Sequence, residues 1–171
     1  VKMGSKFGWI VNYGSEGWGP NMQDGFSILQ LRDGRMRFEM SNSKKPEKVA
    51  LDIDIPEKQW FHVAFTWNSN SKMLNSYING VQVTETSYTY HNDYSSGFNF
   101  MGPLLIPTDR KILLANGILN NGNNYWDGSI TELRIWDYAL NIIDLKNRHK
   151  TRIKDEIPGL IGYWQLNHDG G

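Results

Sequence analysis

The sequence contains no cysteine among its 171 residues. This absence excludes a disulfide framework, a zinc site built on thiolates and a cysteine nucleophile. It leaves the cellular compartment open, because cysteine-free chains occur both inside and outside cells.

The chain also lacks an excess of charge of either sign. Eighteen Lys and Arg residues balance eighteen Asp and Glu residues, which gives a formal net charge of zero. Without a basic excess to neutralise phosphates, nucleic acid is not an expected partner. An anionic membrane surface is not expected as a partner for the same reason.

Long apolar runs are missing too. No run approaches the roughly 20 residues that a membrane-spanning helix needs, and no secretion signal opens the chain, so direct membrane insertion is not expected. Because the chain starts at Val1, we expect a single domain, residues 1–171, cut from a longer protein with neighbouring domains. An asparagine-rich composition without an Asn-x-Ser/Thr sequon suits a bacterial source.

The sequence does have short runs that alternate with a period of two, which is typical of β-strands. Met36, Phe38 and Met40 alternate in this way and should share one face. The dipeptides Asp33-Gly34 and Asn79-Gly80 separate strand-like runs and predict hairpins, the second with a type I′ turn. Residues 81–88 should pair back on that second hairpin.

Three further segments complete the predicted architecture. Residues 60–67, 130–136 and 160–166 read as strands, and Asn141 is a helix N-cap candidate before Ile142. Strands at short, regular intervals predict an all-β, two-sheet antiparallel jelly-roll sandwich with one short helix near the C-terminus. Six residues should be buried in its core: Trp60, Phe65, Ile78, Leu133, Ile135 and Trp136.

Three motifs resemble those of a known family. Residues 59–67 followed by Tyr77-Ile78-Asn79-Gly80 resemble the W-x-H-V-A … Y-x-N/D-G hairpin of laminin G-like and pentraxin domains. Residues 127–140 are similar to their G-x-I-D-E-V-R-I-W-N-x-A-L segment, and residues 159–166 to G-L-V-G-Y-W-x-F. The resemblance covers most of residues 1–166 and implies a concanavalin A-like, laminin G-like fold.

The start of the chain departs from that pattern. Such domains usually begin with one or two strands ending in Trp-Val-Lys, and this chain begins at Val1-Lys2, where that strand would finish. Either the first strands lie outside this sequence, or the terminal strand around Tyr163–Leu166 occupies their place. An unfilled position would leave an apolar sheet edge exposed.

Signatures of an enzyme are weak. The run from Asp52 to Glu57 approaches the Glu-x-Asp-x-x-Glu motif of glucan hydrolases, which need two carboxyls about 5–5.5 Å apart for retaining hydrolysis. Asp replaces the first Glu, and Pro56 ends the strand, so a solvated strand face is the favoured interpretation. His62 lies in an apolar strand and is expected to be a satisfied structural histidine. We therefore expect a protein that is not an enzyme.

Two polar, glycine-rich loops carry the mixture of amides, acids and aromatic rings that binds sugars. The predicted ligand-binding residues are Trp18, Asn21 and Asp24 in the first loop, and Asn120, Asn121, Asn123, Asn124, Tyr125 and Trp126 in the second. Alternatively, the asparagines serve turns and Trp126 packs under the sandwich. Strand counting places the loops at opposite ends of the sandwich, whereas the resemblance brings them together. The tyrosine-rich run 88–94 is a third candidate surface.

The resemblance also implies a possible Ca²⁺ site where the first loop meets the loop after residues 111–114. Asp24 matches the first contribution, but Asp127 is the only acid in the second loop. Ca²⁺ prefers six to eight oxygens with several carboxylates. No cofactor is therefore required, and Asp24 is the single candidate metal ligand.

These observations favour a non-catalytic recognition module that binds a glycan or glycoprotein. The expected setting is extracellular, within a secreted or surface-attached bacterial adhesin or toxin. The alternative is a structural spacer or protein-docking domain without a small ligand, and the third interpretation is a glycoside hydrolase of the same fold.

Overall fold

The structure is a computed structural model that describes residues 1–2, 7–14, 24–42, 47–71, 73–83, 86–91, 111–115 and 126–166. One helix and eleven strands lie in these ranges. In chain order they are β1 (Gly8–Tyr13), β2 (Gly25–Gln30), β3 (Met36–Asn42), β4 (Glu47–Ile53), β5 (Val63–Asn68), β6 (Met73–Ile78), β7 (Val81–Gln82), β8 (Thr86–His91), β9 (Leu113–Leu114), β10 (Glu132–Trp136), α1 (Ile142–Arg148) and β11 (Leu160–Gln165). The prediction of an all-β fold with one short helix near the C-terminus is confirmed.

One layer is a six-stranded antiparallel sheet in the order β8-β4-β3-β2-β1-β9. The Asp33-Gly34 turn joins β2 to β3 as the sequence predicts, with Met36 opposite Gln30. Alternation along β3 turns Met36, Phe38 and Met40 toward the second layer, and all three are buried. The predicted shared face is confirmed.

The second layer is divided into a three-stranded sheet, β5-β6-β7, and a two-stranded sheet, β10-β11. Residues of both sheets pack against the core that β1 to β4 supply. The predicted β6–β7 hairpin turn is present, with the positive φ values at Asn79 (52°) and Gly80 (76°) that a type I′ turn requires.

The strand predicted after Asn79-Gly80 is only partly correct. Pairing with β6 is limited to the two residues of β7. The chain then crosses to the other layer, where β8 pairs with β4 along its whole length. Period-two patterning does not reveal such a change of sheet, because both sheets need the same alternation.

None of the six residues predicted for the core is fully buried. Trp60 is 51% exposed, while the other five predicted residues are half-buried against the core. The physical reason is a cavity of about 950 Å³ between the layers, lined by Trp60, Phe65, Leu133, Ile135 and Trp136 among others. Side chains that border this space lack neighbours on one side.

The helix forms where its cap predicts. The Asn141 side-chain oxygen accepts hydrogen bonds from the backbone N–H groups of Ile143 and Asp144, both at 2.9 Å. Such a cap satisfies donors that the first helical turn leaves unpaired. Leu145 is buried beside Tyr77 and Leu140, which anchors the helix on β6. Within the described ranges, no helix is long and apolar enough to cross a membrane.

Leu51 provides a test of the core. Its side chain is fully buried on β4, so Leu51→Ala should reduce the free energy of unfolding by roughly 2–5 kcal/mol through lost burial and a new cavity. Val81, which is 61% exposed, gives the matched control, and Val81→Ala should change stability by less than about 0.5 kcal/mol. Urea unfolding measures both, and equal effects would contradict the assignment of the core.

Candidate functional site

The first polar loop leaves the six-stranded sheet between β1 and β2, and its two ends are held together tightly. Gly25 opens β2 with φ of 139°, and a Cβ there would lie 1.8 Å from the carbonyl oxygen of Tyr13 at the end of β1. Only glycine allows this approach. The foot of the loop, at Tyr13 and Asp24, is therefore fixed on the sheet.

Other chain connections leave the sheet at the same end. Gly25 lies opposite Ser41 near the end of β3, and Glu47 at the start of β4 lies opposite His91 at the end of β8. We call this end, formed by Tyr13, Gly25, Ser41, Glu47 and His91, the loop-one rim. The tyrosine-rich run 88–94, the third candidate surface in the sequence, thus reaches the same rim at His91.

The second polar loop starts from the opposite end of the sheet. Strand β9 is antiparallel to β1, with Leu113 opposite Asn12 and Leu114 opposite Val11, and Ala115 donates a hydrogen bond to the carbonyl of Ile10. The second loop therefore leaves the sheet beside Ile10, roughly 10 Å along β1 from Tyr13. The chain is described again at Trp126, whose ring bonds to Gln30 opposite Gly8. Strand counting is correct here, and the expectation that the two loops meet is not supported at their anchors.

Trp126 requires a second correction. Its ring is only 5% exposed and belongs to the core, and its Nε1 donates a 2.9 Å hydrogen bond to Oε1 of Gln30 at the end of β2. A Cβ at Gly128 would lie 1.9 Å from the ring, so the chain packs closely against it. Trp126 anchors the end of the second loop and is not available to stack on a ligand, which is the packing alternative that the sequence left open.

Of the predicted ligand-binding residues, the structure describes only Asp24 and Trp126. Asp24 is half-buried at the foot of the first loop, directly before β2. The remaining predicted residues lie outside the described ranges: Trp18, Asn21, Asn120, Asn121, Asn123, Asn124 and Tyr125.

A metal centre built on several acidic or histidine side chains is not found in the described part of the chain. These residues include no group of three or more His, Asp or Glu side chains that could hold an ion. Asp24 and Asp127, the two acids that the resemblance singles out, belong to loops anchored at opposite ends of the sheet. The calcium site stays a prediction that rests on Asp24.

The two carboxylates considered for glycan hydrolysis, Asp52 and Asp54, lie in different surroundings. Asp52 is fully buried in its side chain and accepts two hydrogen bonds from Arg37, at 2.5 and 2.8 Å, with Arg35 3.3 Å away. Asp54 lies beyond the end of β4 and is exposed. A buried carboxylate that pairs with guanidinium groups is engaged in the scaffold and cannot flank a scissile bond together with an exposed partner. Asp52 is therefore not the solvated strand residue that the sequence favoured.

A polar row on the outer face of the six-stranded sheet escaped the sequence analysis. Asn12, Ser27 and Glu39 lie opposite one another on β1, β2 and β3, and all three are buried. In the sequence, the alternation of these residues with apolar ones indicates a face that points outward. The pattern does not reveal that this face is covered. The row is inaccessible, so it is part of the scaffold.

His62, which borders the cavity between the layers, is the polar residue that differs most from its predicted state. The Nδ1 atom of His62 is buried without a hydrogen-bond partner, so the prediction of a satisfied structural histidine is wrong. Burial, followed by the positive charges of His149, Arg134 and the Val1 ammonium, lowers the pKa of His62 to about 4. The His149 ring lies 5.7 Å away.

A cavity of this size is the ordinary first candidate for a ligand site. Its floor, however, consists of the core side chains Met36, Phe38 and Met40, and it separates two layers that should otherwise be packed. We therefore assign the cavity to the architecture of the sandwich.

The lowered pKa of His62 makes the free energy of unfolding depend on pH. Because its folded pKa lies below the unfolded value of about 6.5, the neutral ring favours the folded state above pH 6.5, and this stability is lost as pH falls toward 4. Urea unfolding midpoints should therefore fall between pH 7 and pH 4, and His62→Gln should lessen the decrease. An equal decrease in the variant would show that other groups cause it.

Comparison with known proteins places this fold in context. Residues 1–142 match a laminin G family described as the concanavalin A-like lectin/glucanases superfamily. The chain is similar to a candidate carbohydrate-binding protein from Bacteroides ovatus, whose crystal structure superimposes with a TM-score of 0.65 at 15% sequence identity. The similarity covers 98% of this chain and 42% of that protein. No curated protein matches the sequence.

Proposed function

Because the chain belongs to the concanavalin A-like lectin/glucanases superfamily, we propose that it is a non-catalytic carbohydrate-recognition module that binds glycans at the loop-one rim. The observation that carries this proposal is the convergence of three chain connections at one sheet end, with a foot fixed by the contact between Gly25 and Tyr13. Recognition residues in proteins lie on loops held by such rigid scaffolds.

The residues available at this rim suit a sugar. Trp18 would supply the aromatic ring that stacks on an apolar sugar face, while Asn21 and Asp24 would supply the amide and carboxylate for its hydroxyls. The asparagine-rich loop 116–125 leaves the sheet beside Ile10 and returns at Trp126 beside Gln30, at the end of β2 away from Gly25. We therefore leave Asn120, Asn121, Asn123, Asn124 and Tyr125 outside this site.

A binding role is favoured over hydrolysis by the state of the carboxylates. Hydrolysis needs one acid and one base or nucleophile on either side of a glycosidic bond. In the described residues, Asp52 is sequestered by Arg37, and Asp54 lies exposed beyond the strand. The proposed module recognises its ligand and leaves it unchanged.

The proposed setting is a secreted or surface-attached bacterial protein, such as an adhesin or toxin, that contains further domains. Support comes by analogy, because the matching fold unit occupies 42% of the Bacteroides ovatus protein. The competing proposal is a spacer or protein-docking domain, which would have the same fold without a sugar ligand.

Trp18 gives the direct test of this site. Trp18→Ala should weaken binding of any oligosaccharide selected on a glycan array by about tenfold or more, because the stacking surface is lost. Trp164 on β11 is 39% exposed and provides the matched control, since Trp164→Ala removes an exposed tryptophan from another surface. Calorimetric titration and thermal unfolding separate lost binding from lost folding. An array without any bound glycan would favour the spacer.

Calcium can be tested independently at Asp24. A ligand that binds only the folded state raises its stability by mass action. Millimolar Ca²⁺ should therefore raise the melting temperature slightly, and Asp24→Asn should remove that increase, whereas Asp127→Asn should retain it. An increase that survives Asp24→Asn would place the ion elsewhere.

A further inference from the structure

A basic segment ends α1 and continues beyond the helix. Residues 146–154 contain five Lys and Arg residues and one histidine but no acid, in a chain whose net charge is zero. Lys146 and Arg148 lie in the last helical turn, where positive side chains interact favourably with the negative end of the helix dipole. Because that effect fades beyond the last turn, it does not account for Lys150, Arg152 and Lys154.

The helix lies on the outer face of the second layer. On β5, Val63 and Phe65 pack against the core, whereas Ala64 between them packs beside Leu145 of the helix. Because strand residues alternate between faces, α1 covers the face opposite the core. Alternation places Arg134 of β10 on the same outer face, since both of its strand neighbours pack against the core.

Arg134 connects β10 to the C-terminal end of the helix. Its Nη1 donates to the carbonyl of Arg148 at 2.7 Å, and its Nη2 donates to the carbonyl of Thr151 at 2.6 Å and to the carboxylate of Glu132. Nδ1 of His149 lies 2.8 Å from a further carbonyl of the last turn. Protein groups therefore already satisfy the negative end of the helix.

Three nitrogen atoms around this helix end are buried without a hydrogen bond to any residue that the structure describes. They are Nε of Arg134, Nη1 of Arg148 and Nδ1 of His62. Asp144 approaches Nε of Arg148 only to 3.9 Å, which is too long for a hydrogen bond. A buried polar group without a partner costs free energy, so these three nitrogens indicate that a further group binds here.

The three side chains converge on one part of the cavity. Arg134, Arg148 and His62 line it together with His149 on the side that α1 covers, and the two histidine rings are 5.7 Å apart. Burial, and after it the positive charges of His149 and Arg134, lower the pKa of His62 to about 4. We call this region, formed by His62, Arg134, Arg148 and His149, the cationic pocket.

We propose that the cationic pocket binds an oxyanion, a phosphate, sulfate or carboxylate group, between Arg134 and Arg148 with His62 as a third partner. Guanidinium N–H groups form charge-assisted hydrogen bonds to such oxygens. A water molecule would satisfy the donors, but only an anion also offsets the two like charges. The inference is independent of the proposed glycan site, which lies at the end of the other sheet.

The two guanidinium groups are held in position and remain accessible from one side. Arg148 lies 5.2 Å above the ring of Trp136, and Arg134 is fixed by its carbonyl and carboxylate acceptors. Donors that are ordered in advance lower the cost of binding. The side chain of Arg134 is 12% exposed and that of Arg148 is 31% exposed. An anion would therefore enter past Arg148, near the exposed Lys150.

The pKa of His62, measured by NMR on the full chain, reports the bound anion. Sodium sulfate should raise this pKa from about 4 toward its ordinary value of about 6.5, relative to sodium chloride at equal ionic strength, because a nearby anion favours the protonated ring.

Paired variants show whether the pocket is responsible. Arg148→Gln should weaken sulfate binding about tenfold or more, because a charge-assisted hydrogen bond is lost. Arg32→Gln makes the same change at an exposed residue of the β2–β3 turn and should leave the affinity unchanged. Thermal unfolding checks that both variants fold. If Arg148→Gln does not fold, Arg148→Lys decides, because it retains the charge but should still weaken binding through loss of the planar guanidinium.

Calorimetric titration at pH 7 distinguishes the sources of the anion. Tighter binding of phenyl phosphate than of inorganic phosphate would support the acidic end group of a larger molecule, and equal binding would support a free ion. The same pKa of His62 in sulfate and in chloride would overturn the proposal. Equal effects of Arg148→Gln and Arg32→Gln would also overturn it, because they would indicate general charge screening. Glycan binding, measured separately, should be the same in all variants, and its absence would count only against the proposed function.

Discussion

The period-two burial of the six-stranded sheet is the constraint on which the rest of the molecule depends. Its inner face supplies the fully buried side chains Met36, Met40, Val49 and Leu51, and a one-residue slip in register would turn this row outward. The outer face reinforces the register, because Arg37 and Asp52 lie opposite each other on β3 and β4 and form a buried ion pair. Removing one partner of such a pair would leave an uncompensated buried charge.

This rigid sheet separates the molecule into regions with different roles. One sheet end presents loops on a foot that Gly25 fixes, and the other is closed around the buried indole of Trp126. The interior holds a cavity bordered by His62, whose pKa burial lowers.

Local patterns predicted the fold where one element determines its own structure. Alternation identified the buried face of β3, Asp33-Gly34 and Asn79-Gly80 identified turns, and Asn141 identified the helix cap. Patterns failed where the outcome depends on distant partners. Trp60 reads as a core residue, yet it borders the cavity between the layers and is 51% exposed. Strand β8 changes sheet although its alternation suits either layer.

The candidate site was predictable in composition but not in geometry. Trp126 has the chemistry of a sugar-stacking residue next to an asparagine-rich loop, and only the position of Gln30, 96 residues earlier in sequence, shows that the ring is a core anchor. Similarly, Asp52 looks like a strand-face carboxylate until Arg37 is placed opposite it. The roles of both residues depend on partners that are distant in the sequence, and such pairings cannot be read from a single sequence.

Amide chemical-shift mapping with a glycan selected from the array tests the central assignment most directly, because it reports where on the sheet the ligand binds. Our account predicts shifts at the loop-one rim, with the largest at Asp24, Gly25 and Ser41. Shifts confined to Leu113–Ala115, or to Val63 and Phe65 on β5, would contradict it.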